Sequence, residues 1–409
     1  MIIVQKFGGT SVADTDRIRN VVQKVKRERD AGTQVAVVVS AMAGVTNQLV
    51  GYVQELSRLM TREAWEEYDQ VVSSGEQVTC GLLALALNEA GVPARSFTGW
   101  QIPLRTDRSH GKARIHDITA DNIHRVLDAG MVAVVAGFQG VDEEGRVSTL
   151  GRGGSDTSAV ALAAALKAGR CDIYTDVNGV YTTDPRIVSN ARKLHRIAYE
   201  EMLEMASLGA KVLQTRSVEM AMNHRVVVQV LSSFSDEPGT LLVDEEEQME
   251  KQRVTGIAYS RDEARISLTG IANVPGMSAR LFGPLAEAGV NVDMIVQNVS
   301  EGGGATDITF TVPRGDLERA AAVVKEAQSV LKYRSMHSDK NVVKVSAVGV
   351  GMRSHSGIAS AMFQALAEKS INIIVITTSE IKISVLIQED YLELAVRALH
   401  SVFELDKVE

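Results

Sequence analysis

The sequence predicts an α/β sandwich with a largely parallel sheet, followed by two small α+β modules. Three observations predict it. Apolar runs that read as strands alternate with helical patterns from the first residues onward. These runs are nearly continuous rather than alternating, as in Gln34–Val39, which is how strands covered on both faces read. Later in the chain, residues 265–295 and 344–376 repeat one pattern, so the second part reads as a duplicated unit.

The first strand is an apolar run that begins at Ile2 and leads into Lys6. Ile18, Val21, Val22 and Val25 then recur at helical spacing, and Gly32 closes that helix. Gln34–Val39 is the next strand. A helix near 78–90, a strand near 131–137, a helix near 157–168 and a strand near 171–176 follow in alternation. After Val243 the chain turns polar and highly charged, which predicts a linker with a boundary near 245–255; a solvated surface helix fits the same composition. Each repeat then reads as an alternating strand, a glycine before a helix, Leu-Ala-Glu, and an asparagine with an apolar strand. Further strands at 307–312 and 382–387 and second helices near 316–329 and 390–402 complete the two units.

Composition narrows the function. A chain of 409 residues exceeds one ordinary core, so two or three domains are expected. It is 45% apolar but only 4% aromatic, so aliphatic side chains must fill the cores. The net charge of −8 argues against nucleic acid as the main partner. Two cysteines, Cys80 and Cys171, stand outside any CxxC or His/Cys cluster and read as buried free thiols. No signal-peptide pattern opens the chain, and its apolar runs are far too short to span a membrane, so a cytoplasmic protein is expected.

Chemistry concentrates at the glycine clusters. Lys6, Phe7, Gly8, Gly9, Thr10 and Ser11 end the first strand ahead of a helical pattern. Glycines admit an anion close to backbone N–H groups, a helix start adds donors, and Lys6 adds charge, so the segment reads as a phosphate seat. A second cluster, Gly151, Arg152, Gly153, Gly154, Ser155 and Asp156, opens an Ala-rich helix. Ser155 or Asp156 suits its N-cap, and Arg152 offers a fork for a carboxylate or phosphate. Ser73 and Glu76 stand at capping-box spacing; the competing role for Glu76 is a buried carboxylate holding an ammonium group. Ser40 and Thr46 follow the second strand, where a parallel sheet gathers ligands. Thr175 to Arg186 follows another strand; turns explain Gly179 and Pro185 but not Arg186. Lys211 is a further candidate phosphate charge, or simply a surface lysine. No P-loop and no spaced GxGxxG follows the first strand. The eight histidines show no metal spacing.

Taken together, residues 6–12 (KFGGTSV), 40–47 (SAMAGVTN), 74–76 (SGE), 150–156 (LGRGGSD), 175–186 and 209–211 (GAK) resemble the aspartate kinases of the amino-acid kinase family. The tail resembles the tandem ACT regulatory modules of those enzymes. The resemblance covers essentially the whole chain, with no room for a fused homoserine dehydrogenase. It implies a three-layer amino-acid-kinase sandwich at 1–245, a linker and joining strand at 246–263, and ferredoxin-like ACT modules at 264–336 and 337–409. The segment 253–260 would contribute a strand to the second module.

The implied activity is phosphorylation of the side-chain carboxylate of L-aspartate by ATP with Mg²⁺, giving 4-phospho-L-aspartate. Neither a prosthetic group nor a protein cage for metal is implied. By resemblance, Lys6, Gly8, Gly9 and Lys211 would hold the phosphates and the transferring group. Phe7, Thr175, Asp176, Tyr181, Arg186 and Val212 would line the ATP site. Arg152 would grip the α-carboxylate of aspartate and Glu76 its ammonium. Ser40, Thr46, Gly153, Gly154, Ser155 and Asp156 would complete that pocket. Lysine and/or threonine would bind the ACT modules, with Asn273, Pro275, Gly276, Asn291, Val292, Asp293 and Gln297 in the first and His355, Asn372, Ile373 and Glu380 in the second. Assembly as a homo-oligomer through these modules is implied, and an internal start at Met249 offers a separate regulatory subunit. The rivals are a kinase of the same family acting on glutamate, N-acetylglutamate or UMP, and a sensor that binds nucleotide without turnover.

Overall fold

The structure is a computed structural model. It describes every residue except 60, 209–211, 246–252, 300–303, 408 and 409, and the side chain of Ser354. Two sequence candidates, Lys211 and Met249, lie outside the described residues. The chain divides into two compact units. The first holds Met1–Val180, Lys193–Ser207 and Lys211–Met249; the second holds Tyr181–Arg192, Leu208–Ala210 and Glu250–Glu409.

In the first unit an eight-stranded sheet runs Arg196–Ala198, Thr240–Val243, Val228–Ser232, Arg170–Thr175, Ile2–Phe7, Gln34–Val39, Val132–Ala136, Ala94–Phe97. Every pairing is parallel except that of Val228–Ser232 with Thr240–Val243. The strand period of two explains the layers. Ile3, Phe7, Val35, Val37 and Val39 pack with the buried stripe Ile18, Val21, Val22 and Val25 of helix Thr15–Asp30, and with Cys80, Leu83 and Leu87 of helix Ser74–Glu89. Lys6 faces the opposite way, toward helix Gly154–Ala165. That helix is buried almost along its length, because Gly, Ala and Ser let it approach closely. A Cβ on Gly137 would stand 2.9 Å from the Cβ of Ser155. A four-stranded sheet, Ile115–Ile118, Leu104–Thr106, Gln139–Val141, Val147–Thr149, completes the unit.

The second unit is one six-stranded sheet in the order Val296–Val299, Ala305–Val312, Gly256–Ala272, Ser335–Val348, Lys382–Gln388, Val375–Thr378. The two long central strands serve both repeats. Gly256–Ser260 pairs with Lys344–Val348, while Arg265–Thr269 pairs with Ser335–Asp339. Each repeat keeps its own helical core, one around Leu281, Leu285 and Phe310, the other around Met362, Leu366 and Leu399. Ile187 and Val188 join the latter core. Thr182 Oγ1 lies 3.0 Å from His400 Nε2, and the Tyr259 hydroxyl donates to Asp184 at 2.8 Å. No helix among the described residues is long and apolar enough to cross a membrane.

Candidate active site

Parallel strands deliver their carboxyl ends to one edge of the sheet, and the first-unit candidates gather there. Lys6 is buried at the end of the first strand. Its Nζ sits 2.6 Å from Asp156 Oδ1, with both side chains about one-tenth exposed. The glycines behind it leave little room for a side chain. A Cβ on Gly8 would stand 3.3 Å from Lys6 Nζ, and one on Gly9 3.0 Å from the Ala41 carbonyl oxygen. The phosphate-seat turn is tied to its neighbours. Gly8 N–H donates to Tyr174 O at 3.3 Å, Ser11 Oγ lies 2.5 Å from Ser233 Oγ, and the Phe7 and Tyr174 rings stack at 4.6 Å.

Two local expectations are corrected here. The helix start expected behind Gly8 and Gly9 is a 3-10 turn, Gly9–Val12; the α-helix begins at Thr15. The Asp14 carboxylate accepts from Arg17 N–H at 2.8 Å and occupies that N-terminus, so the α-helix end is not offered to an anion. At the second cluster the N-cap is Gly153, in the left-handed region at φ 72°, and no side chain caps the helix. Ser155 and Asp156 lie inside the first turn, which is what aims Asp156 at Lys6.

Glu76 is not a capping-box partner either. Ser73 makes no side-chain cap bond, and Glu76 is buried in the first turn of its helix. Its Oε1 accepts from Ala41 N–H at 3.0 Å, while Oε2 is buried without a hydrogen-bond partner among the described residues. Burial pushes this carboxyl up to about 7, against the pull of the Ala41 N–H. A Cβ on Gly75 would meet the Ala41 Cβ at 2.8 Å, so the close approach of helix and loop depends on that glycine. Arg152 stands exposed between Gly151 and Gly153, both at positive φ, and pairs with no acid among the described residues.

The remaining candidates divide. Ser40 follows the second strand, its N–H donating to Phe7 O at 3.1 Å, and Thr46 opens helix Val45–Leu56. Thr175 ends its strand and donates from its hydroxyl to the carboxylate of Asp176, the next residue, at 3.2 Å; Val212 is half-buried. Tyr181 and Arg186 belong to the second unit, where Arg186 is exposed and forks onto Asp184. That guanidinium holds the Asp184 carboxyl down at about 2.

The second unit carries two cavities at equivalent places in the repeats, each beside a helix opened by a left-handed glycine, Gly276 or Gly357. One, of about 360 Å³, is lined by Asn273, Pro275, Gly276, Gln297 and Thr306. The other, of about 470 Å³, is lined by Arg353, His355, Gly357, Thr378 and Glu380. Asn291, Val292, Asp293, Asn372 and Ile373 line neither. Val292 and Ile373 pack against the module cores, and Asp293 bonds Lys344. Sequence reading missed Thr306 and Thr378, which lie on strands that follow each helix, and Arg353, which lies in the 3-10 turn Val350–Ser354 ahead of the second helix.

The amino acid kinase family model matches residues 1–232, and the ACT domain model matches 266–328 and 345–403. The aspartokinase of Pseudomonas aeruginosa is 56% identical over 407 residues, covering 99% of this chain and 98% of that one. The chain belongs to the aspartate kinases of the amino acid kinase family. The aspartokinase of Corynebacterium glutamicum is 46% identical over 408 residues, covering 99% of this chain and 96% of its own. Among solved structures, E. coli aspartokinase III in complex with aspartate and ADP matches with a TM-score of 0.81 at 29% identity, over 98% of this chain and 99% of that one. As an aspartate kinase, the chain is an ATP-using phosphotransferase with ACT modules behind its kinase domain.

Proposed function

We propose that the first unit transfers the γ-phosphoryl group of ATP to the side-chain carboxylate of L-aspartate, giving 4-phospho-L-aspartate for lysine, threonine and methionine synthesis in the cytoplasm. The observation that carries the reading is the Glu76 carboxylate, buried with one oxygen unpartnered on the strand-end edge that also holds Lys6. An unpaired buried carboxylate calls for a cation, and the aspartate ammonium is one.

The acceptor carboxylate has a pKa of about 3.9 and is already ionised, so no general base is required. One P–O bond of ATP breaks, one to the carboxylate oxygen forms, ADP leaves, and no proton moves. The difficulty is bringing one anion to another, which positive charge and backbone donors relieve. Lys6, steadied by Asp156, and the turn at Gly8 and Gly9 take that role, with Lys211 as a second charge. Thr175, Asp176 and Val212 line the nucleotide. Arg152 holds the α-carboxylate and Glu76 the ammonium. Mg²⁺ enters as a ligand of the phosphates, since this ion is usually held through substrate phosphates and one or two carboxylates rather than a dedicated protein cage.

Lysine and/or threonine bind the two cavities and inhibit, and the modules assemble the chain as a homo-oligomer. E. coli aspartokinase III has been solved in complex with lysine and aspartate, with a TM-score of 0.76 to this chain. The test is trapping of the acyl phosphate by hydroxylamine, with ATP, Mg²⁺ and each of aspartate, glutamate and N-acetylglutamate. Hydroxamate from aspartate alone, suppressed by lysine or threonine, is expected. Hydroxamate from another acceptor, or none, overturns the assignment.

A further inference from the structure

We infer that Asp69 and Arg216 are positioning residues that brace the Arg152 seat from its two flanks, and so set the affinity for the amino-acid substrate. The inference rests on the reading of Arg152 as the α-carboxylate grip.

Arg152 is the exposed middle of a Gly-Arg-Gly turn, and such a turn has little stiffness of its own. Its position depends on what holds the chain before it. That chain is the end of strand Val147–Thr149 and Leu150, lying beside residues 110–114; Ala113 N–H donates to Thr149 O at 2.9 Å. Asp69, on helix Arg62–Val72 and fully buried, bonds both segments. It accepts from the Thr149 hydroxyl and from Gly111 N–H at 3.0 Å, with His110 Nδ1 2.7 Å from its second oxygen. Arg216, on helix Thr215–His224, bonds the same pair from another side. It donates to Leu150 O at 2.6 Å and to Ala113 O at 3.0 Å.

The partners of Arg216 are the informative part. The half-buried guanidinium pairs with no carboxylate among the described residues; its two donors go to carbonyls of adjacent segments. A guanidinium spanning two backbones fixes their separation as a fork, which a point charge cannot do. Gly151 completes the brace. A Cβ there would stand 3.1 Å from the Gly111 carbonyl oxygen, so the segment Asp69 holds is the wall against which the Arg152 turn rests. Displacement of a substrate-holding group by about 1 Å is enough to cost up to about a hundredfold.

The test is steady-state kinetics of the full chain for Arg152→Ala, Arg216→Ala, Arg216→Lys and Thr149→Val. Arg152→Ala is expected to raise the aspartate KM about a hundredfold with the ATP KM nearly unchanged. Arg216→Ala is expected to raise the aspartate KM about tenfold and shift the ATP KM less than about twofold. Arg216→Lys recovers part of this through one carbonyl, and Thr149→Val shifts the same constant in the same direction. KM does not depend on how much enzyme is folded, so partial loss of protein does not mimic the effect. If Arg216→Ala yields no soluble chain, Thr149→Val decides. An unchanged aspartate KM in Arg216→Ala and Thr149→Val beside a raised one in Arg152→Ala overturns the brace alone. An equal rise in both KM values overturns it too, because the whole unit has then loosened. An unchanged aspartate KM in Arg152→Ala removes the seat itself, and the brace with it.

Discussion

Glu76→Gln is the most revealing substitution, because its effect depends on pH. The ordinary glutamate value is 4.5, and burial lifts this carboxyl to about 7. That gap corresponds to roughly 3 kcal/mol against ionisation in the empty site. If only the carboxylate holds the ammonium, the binding-competent fraction is about one-tenth at pH 6 and about nine-tenths at pH 8. The aspartate KM of the parent chain should therefore fall close to tenfold between pH 6 and 8. In Glu76→Gln it should be high and flat. Stability runs the other way. Between 4.5 and about 7 the folded state keeps a proton that the unfolded chain has lost, so this group's contribution falls as pH rises through that window. Glu76→Gln should gain stability relative to the parent as pH rises. The assays are ADP release against aspartate concentration and urea unfolding, each from pH 6 to 8. A parent aspartate KM that is flat over that range refutes the reasoning.

Three further substitutions test other parts. Lys6→Met should lower kcat by at least about a hundredfold, with hydroxamate formation as the readout, since it removes the charge that meets the transferring group. Lys344→Met strands Glu263, whose side chain is only 7% exposed, and should destabilise the second unit by about 3–5 kcal/mol in calorimetric unfolding; Glu263→Met in the same chain should restore most of it. Gly153→Ala should raise the aspartate KM and lower the melting temperature, because φ is 72° there, a strain of about 1–2 kcal/mol, and the new Cβ would stand 1.9 Å from Gln214 Cγ. Adding Gln214→Ala should relieve only part of the clash, because the Cβ of residue 214 would still stand 2.6 Å from the new one, and none of the strain, so recovery is small.

The sheet, the repeats and the two glycine clusters were legible because each is written locally. Buried strands form apolar runs, a duplicated module repeats its pattern, and a close approach demands glycine. What was not legible depends on partners distant in sequence. The Lys6–Asp156 pair joins residues from two glycine clusters, and only the opposed face of the first strand reveals it. Ser73 and Glu76 have capping-box spacing, yet the carboxylate goes to Ala41, because the helix start packs on that loop. Ile187 and Val188 follow the turn at Pro185 and carry no periodic pattern, but they fill the core of the second repeat. The four-stranded sheet escaped because its strands have only three or four residues, too few for a period. Asp69 and Arg216 carried no motif at all; their meaning lies in the backbone atoms they bond.

The central claim is that the charge of Lys6 and the glycine turn behind it receive the terminal phosphate beside a bound aspartate. The most direct measurement is a crystal structure of the chain with a non-hydrolysable ATP analogue, Mg²⁺ and L-aspartate. The account predicts the γ-phosphate within hydrogen-bonding distance of Lys6 Nζ, the aspartate ammonium on Glu76, and its α-carboxylate on Arg152. A nucleotide whose γ-phosphate lies away from Lys6, or an aspartate with its ammonium far from Glu76, contradicts it.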